Sequence, residues 1–271
     1  MISAVDEIDS IVRCNKMGAE DYLSKPFNPV LLAARAGATI EKKKLRDQEV
    51  LHLEQLAAEK QRGDDLLRAI LPANAVDELI ATDHVQPRRF NDVTVLFCDI
   101  VDFTRYCDEH LPVQVVAALQ ELVGGMEDLT ARHGLEKIKT IGDAFLATAG
   151  LLEAIENPIE SAIRCGLDMT VLSQRIEPHW QVRIGLHCGP VVAGTVGRHK
   201  FLYDLWDDTV NVAARITEQA APGAVCASAV TWARAGIAGE AHNLGSVDIK
   251  GKGAIELVEI RRLGEQGCKI D

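Results

Sequence analysis

A long helix-favouring stretch is the feature that most constrains how this chain can fold. From about Asn28 to Ile70 the sequence has no proline after Pro29 and only two glycines, Gly37 and Gly63. It is dense in Leu, Ala, Glu, Lys and Gln, which favour helix, so we predict one long helix here. Because such a helix separates the segments on its two sides, and because 271 residues exceed one typical domain, we expect two unequal modules joined by a helical linker.

The apolar positions of the linker only partly keep the spacing of a coiled-coil seam. They are Val50, Leu53, Leu56, Ala57 and Leu67. Lys60 and Asp64 fall where apolar residues would continue the seam. The segment is therefore either a solvated spacer or a dimerising relay between modules, and we favour the relay.

Composition excludes several classes of protein. Hydrophobic residues make up 47% and charged residues 25%, which is enough for a core and argues against disorder. The longest stretch without a charge, Gln219–Ala233, contains Pro222 and Gly223 and is shorter than the roughly 18 apolar residues of a membrane helix, so we expect no span. The net charge of −11 disfavours a nucleic-acid partner, which would need a basic surface.

The cysteines indicate the compartment. Seven are scattered along the chain without a C-x-x-C pair: Cys14, Cys98, Cys107, Cys165, Cys188, Cys226 and Cys268. An odd, scattered set favours neither a disulfide framework nor a zinc site. The N-terminus does not have the pattern of a signal peptide. We therefore expect a reducing, cytoplasmic environment.

Residues 1–27 have the pattern strand, helix, strand, ending at a proline. The segment resembles the C-terminal half of a response-regulator receiver domain, with Ser3 as the switch hydroxyl and Lys25-Pro26 as the lysine–proline pair; an accidental strand-helix-strand unit is the alternative. The resemblance implies a truncated receiver, because the phosphate-accepting aspartate of a receiver lies before this point. It also implies an upstream histidine kinase as a partner of the full-length protein.

After Asn91 the pattern becomes that of a mixed α/β domain. The order is strand, helix, strand, strand, helix, strand, which is a ferredoxin-like core (α+β) with C-terminal additions. The elements are the strand Val93–Cys98, the helix Val115–Leu129, the hairpin Leu135–Thr140 with Ala144–Thr148, the helix Pro158–Ile176, the strand Gln181–His187 and the apolar run Val191–Val196.

Two aspartates can converge in this topology. Asp99 ends the first central strand and Asp143 lies at the hairpin turn of a neighbouring strand. Taken singly, each is equally well a turn or cap residue. Together, paired carboxylates at a strand edge suit magnesium, which prefers hard oxygen ligands and keeps positions open for phosphates.

Several separated motifs together resemble one family. They are Phe97–Thr104, Glu136–Asp143, Tyr203–Trp206 and Thr209–Arg215. The segment from about Asn91 to Leu263 resembles a class III nucleotidyl cyclase catalytic domain along nearly its whole length. The resemblance implies a central mixed sheet flanked by helices, and cyclisation of a nucleoside triphosphate in a head-to-tail homodimer with sites at the interface.

The two resemblances divide the chain. We expect a partial receiver at 1–46 running into helix, a helical linker at 47–88, the cyclase catalytic domain at 89–263 and a tail at 264–271.

The resemblance assigns metal and phosphate roles residue by residue. It maps Asp99 and Asp143 to the metal aspartates and the carbonyl of Ile100 to an additional ligand, for two Mg²⁺ or Mn²⁺ ions per site. It maps Arg183 to a phosphate-binding arginine and Lys250 to the triphosphate lysine.

The remaining roles concern the base and the transition state. The resemblance maps Lys139 and Asp204 to the base-recognising pair and Asn211 and Arg215 to the transition-state pair. Because Arg215 comes four residues after Asn211 on a predicted helix, the two share a face. A guanidinium there would offset charge that develops on the α-phosphate.

The residues predicted to recognise the base, Lys139 and Asp204, favour ATP. Adenine offers an acceptor at N1 and a donor at its amino group, which match a lysine and an aspartate, whereas guanine has the opposite polarity. The sequence therefore favours an adenylate cyclase, and the alternatives are a guanylate cyclase or a catalytically silent nucleotide-binding dimer.

One loop departs from the family pattern. The family usually has glycine after the loop tryptophan, where this chain has Asp207 after Trp206. If the backbone there needs a positive φ, aspartate tolerates it less well than glycine, and activity is expected to be modest. We interpret His187 as structural, and Gly185 and its neighbours as allowing a tight strand connection.

Overall fold

The computed structural model describes residues 2–3, 23–24, 28–68, 70–82, 84–197, 202–249 and 251–264. The chain divides into two compact units, Met1–Ala69 and Ile70–Asp271. None of the helices among these residues is both long enough and apolar enough to cross a membrane.

The first unit is dominated by one helix. Strands β1 (Ile2–Ser3) and β2 (Leu23–Ser24) pair in parallel. Helix α1 (Pro29–Arg68) has 40 residues and no buried side chain, and Asn28 Oδ1 accepts from the backbone N of Val30 at 2.9 Å. The predicted long helix is thus confirmed. Lys25 and Pro26 lie outside the described residues, and the receiver resemblance stays a prediction.

The second unit alternates helices and strands. In chain order its elements are α2 (Ala73–Thr82), β3 (Arg88–Ile100), α3 (Phe103–Glu109), α4 (Pro112–Arg132), β4 (Glu136–Ile141), β5 (Ala144–Ala149), α5 (Pro158–Arg175), β6 (Val182–Val196), β7 (Leu202–Trp206), α6 (Asp208–Gln219), β8 (Val225–Ser228), α7 (Ala229–Ala235), β9 (Gly239–Ile249) and β10 (Gly253–Leu263).

These strands form one eight-stranded sheet in the order β4-β5-β3-β6-β8-β10-β9, with β7 paired to β6. All pairs are antiparallel except β6 with β8, so the sheet is mixed. The predicted ferredoxin-like core is confirmed, because β3, β4, β5 and β6 with helices α4 and α5 come in the expected order. β6 is longer than expected: it is one strand of 15 residues that joins the predicted strand and the apolar run after it.

The sheet is covered on both faces. Helices α4 and α5 bury one face with residues such as Leu122, Met126 and Ile163. Helix α6 contributes Val212 and Ile216 to a second apolar cluster. Successive residues of β8 belong to different clusters, Val225 to the first and Cys226 to the second, which places the clusters on opposite faces of the sheet. A two-faced core of this kind fixes the strand ends, where Asp99 and Asp143 lie.

Candidate active site

The two predicted metal aspartates lie at neighbouring strand ends. Asp99 is the penultimate residue of β3, and Asp143 comes after Gly142 in the two-residue turn between β4 and β5. β3 pairs with β5, which brings the two ends together. Gly142 has φ of 65°, a conformation that glycine adopts without strain. The turn thus holds Asp143 beside Asp99, as the topology predicts.

The two carboxyl groups lie close enough for Asp99 to affect the pKa of Asp143. Burial, together with the charge of Asp99 and a hydrogen bond with its carboxylate, raises the pKa of Asp143. The backbone N of Ile100 donates to the Asp143 carboxylate, so the main chain of Ile100 also lies at this position. A cation bound between two adjacent carboxylates would relieve the repulsion of their negative charges.

The donor set fits divalent metal ions of the hard type. It consists of carboxylate oxygens next to main chain, and no cluster of three or more His, Cys, Asp or Glu side chains occurs among the described residues. Two protein carboxylates leave coordination positions for water and phosphate oxygens, which Mg²⁺ and Mn²⁺ favour.

Arg183 lies directly across from Asp99 in the β3–β6 ladder. Its Nε and Nη2 donate to Asp99 Oδ2 at 2.9 Å and 2.6 Å, and both side chains are partly exposed. The predicted phosphate-binding arginine is therefore brought to the predicted metal aspartate, where the two neutralise each other.

Lys139 and Asp204, the predicted base-recognising pair, are in contact. Lys139 Nζ donates to Asp204 Oδ2 at 2.5 Å across β4 and β7, and the side chains are only 23% and 15% exposed. The second oxygen, Oδ1, accepts from the backbone N of Leu205 at 2.8 Å. The carboxylate is thereby fixed in orientation.

A β-bulge explains how Lys139 reaches this position. In a regular strand, residues 137 and 139 would point to the same face. Here Lys137 is paired with Ala147 and Lys139 with the next residue, Leu146, so Ile138 is an extra residue in β4. Lys137 accordingly makes an ion pair with Glu127 of α4, while Lys139 points to the opposite face.

Helix α6 carries the predicted transition-state pair on its outer surface. Asn211 and Arg215 are exposed, opposite the buried face of the helix. Arg215 Nη1 donates to Oε1 and Oε2 of Glu218 at 3.1 Å and 3.0 Å. In the described part of the chain, neither residue is hydrogen-bonded to the aspartates, to Arg183 or to Lys139. The structure therefore places them at the surface, without a direct hydrogen bond to Asp99, Asp143 or Arg183 within the described residues of one chain.

Two glycines in β6 allow α6 to pack closely on the strand. The sequence analysis did not predict this role. A Cβ on Gly185 would lie 2.4 Å from Thr217 N and 2.6 Å from the Ala213 carbonyl oxygen, and a Cβ on Gly189 would lie 2.6 Å from Thr209 Oγ1. These glycines allow close helix-on-strand packing, not the strand connection that we expected. Their spacing of four residues within an apolar run was the available signal.

The backbone at Asp207 has the positive φ on which the expectation of modest activity depends, and the activity itself stays a prediction. The φ of Asp207 is 143° and its ψ is 171°, a region that is almost restricted to glycine. Its Oδ1 accepts from the backbone N of Asp208 at 2.6 Å, and Asp208 pairs with Lys252. Lys250 lies outside the described residues, so its predicted role stays a prediction.

His187 has structural partners. Its Nδ1 lies 2.8 Å from Ser228 Oγ, and burial, with a smaller effect of Arg234, lowers its pKa. This agrees with a structural histidine.

Comparison with known proteins identifies the family. Residues 85–261 match the model of the adenylate and guanylate cyclase catalytic domain. Guanylate cyclase 2G of Rattus norvegicus is 35% identical over 214 residues, which are 73% of this chain and 19% of that protein. An adenylate cyclase of Mycobacterium tuberculosis is 33% identical over 205 residues, 74% of this chain and 46% of that protein.

A solved structure of a cyclase domain is also similar to this chain. The guanylate cyclase domain of RhGC from Catenaria anguillulae, in complex with GTP, has a TM-score of 0.64 and 28% identity, covering 65% of this chain and all of that one. The chain spans from about a fifth to less than half of the two curated relatives, which include both a guanylate and an adenylate cyclase. Catalytic domains of this type bind nucleotide, generally use divalent metal ions and function as dimers. The chain belongs to the adenylate and guanylate cyclase catalytic domain family.

Proposed function

We propose that this chain is an adenylate cyclase that converts ATP to 3′,5′-cyclic AMP and pyrophosphate. The observation that carries the choice of base is the contact of Lys139 with Asp204 on the face of β4 opposite α4. Similarity alone does not choose between the bases, because the relatives include adenylate and guanylate cyclases.

The polarity of this pair supports ATP. Lys139 can donate to adenine N1 while Asp204 accepts from the exocyclic amino group. Guanine would place O6 against the carboxylate and N1–H against the ammonium, leaving both partly buried groups mismatched. A site with such unpaired polar groups discriminates strongly against the wrong base.

The metal and phosphate side of the site uses a different group of residues. Asp99, Asp143 and the Ile100 carbonyl would hold two Mg²⁺ or Mn²⁺ ions. When bound, such ions lower the pKa of the ribose 3′-hydroxyl and stabilise the charge on the α-phosphate as pyrophosphate leaves. Arg183 would exchange the Asp99 carboxylate for a phosphate oxygen, which frees Asp99 as a ligand.

The outward position of Asn211 and Arg215 supports a composite site. In a head-to-tail homodimer, Asp99, Asp143 and Arg183 of one subunit would face Lys139, Asp204, Asn211, Arg215 and Lys250 of the other. Arg215 would then stabilise the α-phosphoryl charge from across the interface.

The organisation outside the catalytic domain is part of the same proposal. In the full-length protein, a receiver domain to which 1–46 would belong, followed by a helical linker at 47–88, would carry a signal that starts at a histidine kinase. The scattered cysteines, of which the described five are free, support a cytoplasmic location.

The direct test measures kcat/KM for ATP and GTP in the wild type and in the Lys139→Glu, Asp204→Cys double variant. We expect a wild-type preference for ATP and a large fall of the ATP/GTP ratio in the double variant. Lys137→Gln is the matched control, because it removes a lysine two residues away on the opposite face and is expected to leave the ratio unchanged. An unchanged ratio in an active, dimeric double variant would show that this pair does not recognise the base.

A mixing experiment tests the composite site. Asp99→Ala and Arg215→Ala should each be inactive, and equal mixing should recover about a quarter of wild-type activity, because half of the dimers are mixed and each has one intact site of two. Failure to recover activity after demonstrated subunit exchange would refute composite sites. Cyclic GMP as the main product of the wild type would make the chain a guanylate cyclase, and a folded dimer without product would make it a silent nucleotide-binding protein.

A further inference from the structure

Glu218, in the last turn of α6, contacts the guanidinium that the proposed function places at the transition state. We propose that Glu218 is a positioning residue that orients Arg215 for the α-phosphate. The inference rests on the proposed function for the role of Arg215, and it concerns a carboxylate that none of the sequence motifs singled out.

Glu218 contacts only one of the three guanidinium nitrogens of Arg215, which leaves the others available for phosphate. Both oxygens of Glu218 accept from the same nitrogen, Nη1, of Arg215. Within the described residues, Nε and Nη2 have no hydrogen-bond partner. The Nε–Nη2 edge is one of the edges with which a guanidinium binds phosphate in a bidentate manner. Glu218 therefore occupies one corner of the guanidinium and leaves that edge available.

Orientation matters because Arg215 is otherwise little restrained. Its side chain is 47% exposed on the outer face of α6, where an arginine has many rotamers. Exposed ion pairs are weak in water, and the composite site of the proposed function would shield this pair from water and strengthen it. It restricts the side chain to the rotamers that keep Nη1 at Glu218, which reduces the ordering needed in the transition state.

A purely electrostatic view makes the opposite prediction. Glu218 adds a negative charge beside the place where a triphosphate would bind, so its removal should tighten nucleotide binding and raise the rate. Positioning predicts that its removal lowers kcat while nucleotide affinity changes little. The sign of the effect on kcat therefore separates the two.

Substitution of Glu218 leaves the other arginine contact in place. Arg183 Nη1 lies 3.5 Å from the backbone carbonyl oxygen of Glu218, which any residue provides. The Arg183–Asp99 contact is thus not expected to change. Glu109 offers a matched control, because it makes a similar exposed helical pair with Arg105 in α3.

The experiment compares Glu218→Ala, Glu218→Gln and Glu109→Ala with the wild type in the full chain. The readouts are kcat and KM for ATP, and the dissociation constant of 3′-deoxy-ATP, which binds but cannot cyclise. We expect Glu218→Ala to lower kcat about tenfold, with KM and the dissociation constant within about threefold of wild type. Glu218→Gln keeps one acceptor without the charge and should stay within about threefold of the wild-type kcat, as should Glu109→Ala.

Three results would overturn the inference. An unchanged or higher kcat in Glu218→Ala would contradict positioning, and an equal loss in Glu218→Gln would assign the effect to charge. Arg215→Ala, run in parallel, separates the two proposals: if it keeps wild-type kcat, the role of Arg215 fails and that of Glu218 fails with it. If Arg215→Ala is inactive while Glu218→Ala is fully active, only the positioning role fails.

Discussion

Helix α1 and strand β6 are held in place by different forces. None of the 40 residues of α1 is buried, and apolar side chains such as Leu45, Leu53 and Leu66 are about 60% exposed. Most of the 15 residues of β6 are buried, and the strand pairs with β3, β7 and β8. The helix is specified by its own residues and the strand by the residues that pack against it.

This difference predicts where substitutions should have large effects on stability and turnover. Within one chain, a change in α1 acts through helix propensity, whereas around β6 a change acts through packing and through the residues of the site. Substitutions near β6 should therefore have larger effects than those in α1, and they should alter turnover as well as stability.

The largest effect is expected at the two aspartates that we propose as metal ligands. Asp99→Ala and Asp143→Ala should each lower cyclase activity at least about a hundredfold, because each would remove an oxygen ligand from the same proposed metal pair. Asp108→Ala, an exposed aspartate of α3, is the control and should keep activity. Activity is measured with Mg²⁺ and with Mn²⁺, and folding by circular dichroism. Near-normal turnover in either folded variant would exclude a metal role for that residue.

Gly185→Ala tests the packing of β6 against α6. The added Cβ would overlap the backbone of α6, so we expect a loss of about 1–3 kcal/mol of unfolding free energy and a lower kcat through displacement of Asn211 and Arg215. Gly124→Ala in α4, where a Cβ would meet nothing within 4 Å, is the control. Urea unfolding measures the stability of both variants. Equal stability of the two would mean that α6 is not tightly packed on β6.

Glu136 at the start of β4 should make stability depend on pH. Burial, with a smaller effect of Glu153, raises its pKa to about 7 from a usual value of 4.5, and its Oε2 is buried without a hydrogen-bond partner. Because the raised pKa favours the protonated form in the folded state, stability should fall as the pH rises from about 4.5 to about 7. Glu136→Gln should remove this change in unfolding free energy, which is about 1–2 kcal/mol over that pH range after allowance for partial exposure. Unfolding free energies at several pH values test it, and an unaltered slope would contradict it.

Asp207→Gly should relieve backbone strain before α6. A non-glycine residue at φ of 143° and ψ of 171° costs about 1 kcal/mol or more, and glycine adopts this conformation freely. We expect a gain of about 1 kcal/mol in stability, measured by urea unfolding, and an equal or higher kcat. A loss of stability would indicate that the Asp207 side chain, which accepts from Asp208 N, contributes more than the strain costs.

The smallest effect is expected in α1. Gly63 lies within the helix with nothing within 4 Å of an added Cβ, so Gly63→Ala should raise helix stability by about 0.5–1 kcal/mol and leave kcat unchanged. Thermal unfolding followed by circular dichroism measures it. A destabilised variant would show that another chain packs closely at Gly63.

The sequence predicted the core fold well because its elements have clear local patterns. The helix α1, the hairpin around Gly142 and the alternation of strands and helices are predictable from breakers and periodicity. Asp99 and Asp143 could be paired from topology alone, since β3, which carries Asp99, pairs with β5, which begins directly after Asp143.

Other features depend on contacts that no local pattern encodes. The joining of two predicted segments into β6 depends on pairing with β3 along its length. The function of Gly185 depends on a helix that comes later in the sequence and returns to the strand. The Arg215–Glu218 pair has ordinary helical spacing, so the sequence does not distinguish it from other ion pairs on helices. The positioning role is inferred from the structure, in which the Nε–Nη2 edge of Arg215 is left without a partner among the described residues.

The extra residue in β4 also bears on how relatives of this chain can be aligned. Ile138 has no partner on β5, so a strand without it would still set Lys137 against Ala147 and Lys139 against Leu146. From Lys139 to Ile141 every residue has a partner, and the spacing to Asp143 is therefore fixed. Deletion of Ile138 should therefore leave Lys139 on its present face, whereas deletion of Thr140 would turn Lys139 toward the helices that cover the other face.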